Sequence, residues 1–187
     1  MSKGYVAFIE TQDGNIQSVR GSKRSLSILD VSHRANHEGK LYRVPYFKTV
    51  AASSWAVVWL YSPSTTIECH LYINYSADNS GYVDIWKGVV SATSQWAAIV
   101  PVIANAWSTN VSQVVAYSGG VPTTSTATLQ NIESIGSGGK TTFGGAGGLL
   151  NEIVMAPATT YAVRFFNTST EADVAFNFNL YEEDHNE

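Results

Sequence analysis

One cysteine, Cys69, stands in 187 residues, so no disulfide can form within the chain and the fold must rest on burial and hydrogen bonding. An oxidising compartment is neither required nor excluded. No apolar run reaches the roughly 20 residues that cross a bilayer as a helix. The longest candidate, residues 96–104, is cut by Pro101, so no membrane partner is expected. The opening Met1-Ser2-Lys3-Gly4-Tyr5 lacks the basic start, apolar stretch and small-residue cleavage site of a secretion signal. Synthesis in a cytoplasm without processing is expected. Charge is scarce too, at 14% of residues, against about 25% in an average soluble domain.

What replaces charge is hydroxyl and amide. The chain holds 21 Ser, 16 Thr and 12 Asn, a surface that is easier to desolvate against a partner than a charged one. The charges present are unevenly placed. Residues 1–50 carry 8 basic and 4 acidic groups, and residues 51–187 carry 3 basic and 11 acidic. A basic opening segment ahead of an acidic body suits docking on an acidic neighbour or a sister subunit, or a plain solvated arm. Nucleic-acid binding through Arg20, Lys23 and Arg24 is opposed by the acidic body.

Period-two alternation dominates the pattern and helical periodicity is nearly absent. In residues 66–75, Ile67, Cys69, Leu71, Ile73 and Tyr75 fall on one side, and Glu68, His70, Tyr72 and Asn74 on the other. Val174, Phe176, Phe178 and Leu180 alternate in the same way. Residues 161–166 are aromatic and β-branched, and Asn167-Thr168-Ser169-Thr170 reads as the turn of a hairpin joining them to residues 174–181. Further strands are expected at residues 5–9, 26–31, 41–50, 55–61, 82–87, 111–117, 126–135 and 149–155. Asp13-Gly14, Asn79-Ser80-Gly81, Ser118-Gly119-Gly120 and the run 136–148 supply turn residues tolerant of positive φ. Many short strands at this spacing predict an all-β antiparallel sandwich or jelly roll. Residues 92–107 read equally as helix, strand or loop. Residues 1–32 read as an extended N-terminal arm, and residues 33–187 as the sandwich domain.

Gly139-Lys140-Thr141 has the ending of a phosphate-binding loop, yet Ser134 stands where the earlier glycine belongs and Thr142-Phe143-Gly144-Gly145 are poor helix formers. A surface loop is the simpler reading. His33, His37 and Glu38, with His70 from another strand, have metal-ligand chemistry, but the i, i+4 histidines need a helix that Gly39 leaves no room for. Cys69 falls on the apolar side of its strand, as a buried and unreactive thiol. No Gly-x-Ser-x-Gly elbow is present. Asp84, between Tyr82 and Trp86, is the best single glycosidase carboxylate, without an identifiable partner. The acidic end Glu182-Glu183-Asp184, with Glu187, reads as a solvated terminus. Asn74, Asn110 and Asn167 begin chance glycosylation triplets in a chain without a secretion signal. No enzyme and no cofactor is expected.

Five Trp and ten Tyr serve either core and subunit packing or stacking on sugars. Trp55 and Trp59 flank Ala56-Val57-Val58 and read as buried. Trp86, Trp96 and Trp107 read as exposed, the candidates for an interface or for glycan stacking.

Two stretches carry a resemblance. One is His33-Arg34 with His37-Glu38-Gly39-Lys40 leading to Leu41. The other runs from Asn151-Glu152-Ile153 through Ala156-Pro157 and Thr160-Tyr161-Ala162-Val163-Arg164 to Asn167, closing with Leu180-Tyr181-Glu182. Together they resemble tailed-phage virion proteins described as capsid decoration, cement or head-fibre proteins. That resemblance implies a jelly-roll-like sandwich, a homo-oligomer (trimer or dimer), attachment to the major capsid protein, a place on the virion surface, and no catalytic residues. Arg20, Lys23, Arg24 and Arg34 are then the capsid-contact candidates. A carbohydrate-binding or receptor-binding module of a virion is the alternative.

Overall fold

The computed structural model describes residues 6–10, 16–20, 36–63, 67–91, 96–135 and 152–184. The chain divides into two compact units, Met1–Val31 and Ser32–Glu187. In the first, β1 (Val6–Glu10) and β2 (Ile16–Arg20) pair antiparallel. The strand expected at 26–31, the Asp13-Gly14 turn and the glycine run 136–148 lie outside the described residues.

The second unit is an all-β sandwich. Eight strands carry it: β3 (Leu41–Val50), β4 (Trp55–Tyr61), β5 (Ile67–Ala77), β6 (Gly81–Lys87), β12 (Thr128–Ile135), β13 (Ile153–Met155), β14 (Thr160–Asn167) and β15 (Ala172–Asp184). Between β6 and β12 an insertion adds β7 (Val90–Ser91), β8 (Ala97–Ile99), β9 (Val102–Ile103), β10 (Val115–Ser118) and β11 (Pro122–Thr123). The sheet orders are β13-β5-β15-β3-β9 and β12-β6-β14-β4-β10-β8, with β7 and β11 paired separately. Stripped of the insertion, the eight strands form two interleaved sheets of four in jelly-roll order. Every ladder is antiparallel.

The core follows from the alternation. Val44, Leu71, Ile73, Phe176, Phe178 and Leu180 from one sheet meet Val58, Leu60, Val83, Ile85, Val163 and Phe165 from the other, all essentially solvent-free. Each such side chain contributes roughly 1.5–3 kcal/mol by leaving water. The Tyr75 hydroxyl on β5 donates to Glu133 on β12, a polar tie between the sheets. Gly81 serves by its missing side chain and not by a positive φ. A Cβ there would lie 2.3 Å from the Phe166 carbonyl oxygen and 2.4 Å from the Phe165 ring. Gly119 and Gly120 do take positive φ, 97° and 63°.

Three expectations need correction. Residues 161–166 and 174–181 do not form a hairpin: β14 pairs with β4 and β6, whereas β15 pairs with β3 and β5 in the opposite sheet. The polar stretch after β14 is a corner between sheets, pinned by the buried Asn167 amide, which donates to Val50 O at 2.8 Å and to Thr170 O. Residues 96–107 form the short strands β8 and β9 and a turn, and the strand expected from 111 begins only at Val115. The acidic end is not wholly solvated. β15 continues against β5 to Asp184, and its parity turns Glu182 inward, 6% exposed.

Candidate functional site

The outer face of the six-stranded sheet is aromatic. Strand parity sends Trp55, Val57 and Trp59 of β4, Tyr82, Asp84 and Trp86 of β6, and Ala162, Arg164 and Phe166 of β14 away from the core. Val57, Trp59, Val89 and Ala162 form a second buried cluster there, with Trp55, Trp86, Tyr117 and Ala127 packed against it. Trp55, Tyr82 and Phe166 make mutual ring contacts at 4.6–5.7 Å.

In the middle of this face Asp84 and Arg164 pair, 3% and 7% exposed. The guanidinium donates in a fork, Nε to Oδ1 at 2.7 Å and a terminal nitrogen to Oδ2 at 2.5 Å. Its carbon lies 4.3 Å from the Trp55 ring centre and 5.4 Å from that of Trp86. Asp84, the carboxylate singled out for glycosidase chemistry, is therefore committed to an ion pair.

The expected interface tryptophans part company. Trp86 is half-buried, with its indole N–H lacking a hydrogen-bond partner. Trp96, 37% exposed, stacks on Trp59 at 4.9 Å and tilts against Tyr117 at 5.3 Å. Trp107 is 97% exposed. Trp59 is buried as expected and donates to Gly119 O at 2.6 Å, while Trp55 is half-buried. Of the capsid-contact candidates, Arg20 ends β2. Its side chain, together with Lys23, Arg24 and Arg34, lies outside the described residues, as do His33 and Gly139-Lys140-Thr141.

The insertion is the feature that residue-by-residue motif reading missed, although its signal is plain: residues 88–132 contain no Asp, Glu, Lys, Arg or His. β8 and β10 extend the six-stranded sheet beyond β4, and β9 extends the other beyond β3. The insertion thus crosses from sheet to sheet along one side of the sandwich. Val100, Val102, Trp107, Val111 and Val115 are exposed along it. The Trp107 turn is held rigidly. Asn105 Oδ1 accepts from Trp107 N at 3.0 Å, Asn105 Nδ2 donates to His37 O at 3.3 Å, and Asn110 Nδ2 donates to Gly39 O at 3.1 Å. On the return to β10, Glu182 Oε1 accepts from Ser112 Oγ at 2.7 Å, Gln113 N at 2.8 Å and Val114 N at 3.3 Å.

The outer face of the five-stranded sheet holds a cluster of titratable groups. His70 Nδ1 lies 2.5 Å from Glu152 Oε1, its ring stacks on Tyr181 at 4.2 Å, and the Tyr181 hydroxyl also donates to Glu152. Burial works to raise the Glu152 carboxyl, but the Tyr181 hydroxyl and the His70 charge outweigh it and hold it below the usual range. His70 thus meets Glu152, the residue just ahead of β13, and the described residues contain no group of three or more metal-ligating side chains. Nor do they contain a helix long and apolar enough to cross a membrane.

Cys69 is 1% exposed, and burial, with Glu182 and Glu68 nearby, pushes its thiol up to about 12. The native protein is expected to resist thiol-alkylating reagents at pH 8 and to react fully once unfolded in urea. Rapid labelling of the native state, read by mass spectrometry, would contradict the burial of this strand face.

No protein-family model matches this sequence, and no curated protein shows a significant match to it.

Proposed function

We propose that this chain is a structural virion protein, a capsid decoration subunit that binds the major capsid protein and stabilises the phage head by association rather than catalysis. The observation that carries the reading is the insertion: a charge-free stretch that gathers exposed apolar side chains on a rigid jelly-roll body. Depletion of charge with an exposed tryptophan is the chemistry of a protein contact. The uneven charge along the chain adds a second contact, with the basic opening segment reaching an acidic neighbour. Many copies, each adding a few kcal/mol, would resist internal pressure through linkage to the assembled state.

Removing residues 1–32 is expected to leave a folded body, since the compact second unit begins at Ser32. That body is expected to lose co-sedimentation with empty shells of the major capsid protein. Undiminished attachment would defeat the arm's role, and failure of the full chain to bind shells would defeat the reading itself. Sugar binding is the second reading, favoured by Trp96, half-exposed beside Tyr117 on an aromatic face. Saturable binding to one glycan, abolished by Trp96→Ala, would replace the first reading with the second.

A further inference from the structure

β13 is an edge strand that pairs with β5 alone, through Ile153, Val154 and Met155. So short a strand is held in place by its two ends. Beyond Met155 the chain is pinned, because Ala156 N donates to the Tyr161 hydroxyl at 2.9 Å and the Ser62 hydroxyl donates to Ala156 O. At the other end stands Glu152. One of its carboxylate oxygens accepts from the Tyr181 hydroxyl and lies 2.5 Å from His70 Nδ1, so side chains of β15 and β5 grip the residue that leads into β13. The imidazole sits between two carboxylates. Its Nε2 lies 3.7 Å from Glu68 Oε1, and the side chain is only 12% exposed. Tyr72 stacks on Tyr181 at 5.9 Å, and Glu183 lies across from Glu68, while Val154 and Leu41, which flank the His70–Tyr181 row, bring no charge.

We propose that Glu152, His70 and Tyr181 form an acid-released latch, which lets β13 lift from the edge of β5 while the rest of the sandwich stays closed. Burial opposes ionisation of Glu152, but the Tyr181 hydroxyl and the His70 charge hold its carboxyl below the usual range. A carboxyl lowered in the closed state stabilises that state above the free value of about 4.3. The contribution disappears as pH falls through the lowered value. Tyr181 does not titrate here, because burial and then its bond to Glu152 push its hydroxyl up and keep it a donor. Histidines carry their charge at such pH. Protonating Glu152 therefore leaves a cation in a largely dehydrated site, with Glu68 at 3.7 Å in place of Glu152 at 2.5 Å, and opening returns that cation to water. The strand swings on its pinned end at Ala156. Lifting it bares the β5 edge at Cys69, His70 and Leu71 together with Met155, which is 3% exposed in the closed form. A bared strand edge is a template for pairing, so acid turns this margin of the body adhesive, whatever the body attaches to through its other surfaces.

The test is amide hydrogen exchange of the full chain over a series from pH 6 to pH 3, expressed as protection relative to the intrinsic rate at each pH. Protection of β13 is expected to fall at least about tenfold more than that of Phe176 and Phe178 at the centre of β15, the equivalent of one charge-assisted hydrogen bond. Glu152→Gln keeps the size and an acceptor oxygen but cannot titrate. In that variant the ratio of β13 to β15 protection is expected to stay level across the series. Tyr181→Phe removes the donor that favours the ionised carboxyl, so its β13 transition is expected at higher pH than in the wild type. Thermal melting at pH 6 identifies variants that remain folded. Loss of protection in step between β13 and β15, a pH dependence that survives Glu152→Gln, or an unmoved transition in Tyr181→Phe overturns the proposal.

Discussion

Asp84→Ala is expected to lower folding stability by about 3–5 kcal/mol, because it strands the Arg164 guanidinium in a site where the pair has left water. The Trp55 and Trp86 rings hold part of the cation's charge, but an aromatic face supplies only about 1–2 kcal/mol and cannot replace two short hydrogen bonds. The double replacement Asp84→Leu with Arg164→Met is expected to recover most of the loss, since it removes both desolvated charges and keeps the volume between the rings. Urea unfolding of the three proteins reads this directly. Equal stability of the single and double variants would mean that Arg164 finds water when its partner is gone.

Glu182→Ala is expected to cost about 1–3 kcal/mol. One carboxylate oxygen receives the Ser112 hydroxyl and the Gln113 and Val114 amides; truncation leaves the Gln113 amide without its acceptor, while Val114 N keeps Ser112 Oγ at 3.1 Å. Each buried donor left unsatisfied costs about 1–3 kcal/mol. The loss should also be local. Hydrogen exchange at Gln113 and Val114 is expected to accelerate far more than exchange in β5, because these amides begin the return of the insertion into β10. Glu182→Gln keeps an acceptor oxygen and is expected to retain most of the stability. Equal destabilisation by Gln and Ala would assign the effect to charge alone.

Strand existence and facing were legible wherever alternation ran for seven residues or more. β3 and β4 begin and end where their sequences say, and Ile73, Phe176 and Phe178 face the core as their parity demands. Partnership was not legible. Alternation records which side a residue faces and carries nothing about which strand lies alongside, so β14 and β15, adjacent in sequence, looked like a hairpin while belonging to different sheets. Glu182 was misread because an acidic run looks solvated, although its parity already placed it with Leu180, Phe178 and Phe176. The strands of the insertion are two to four residues long, too short for any period to show. Its real signature is compositional, a gap between Lys87 and Glu133 in which no acidic, basic or histidine side chain occurs.

β15 lies between β5 and β3, and β14 between β6 and β4, so the middle of each sheet is made from the two strands translated after all four of their neighbours. While a ribosome is still producing residues 160–184, the earlier segments have emerged with their hydrogen-bonding edges unmet. Closure of the body is therefore a late and concerted event that depends on long-range pairing, which makes it slow. A prematurely terminated product would lack the centre of the sandwich, not its rim, and would present the sticky intermediate that chaperones exist to hold.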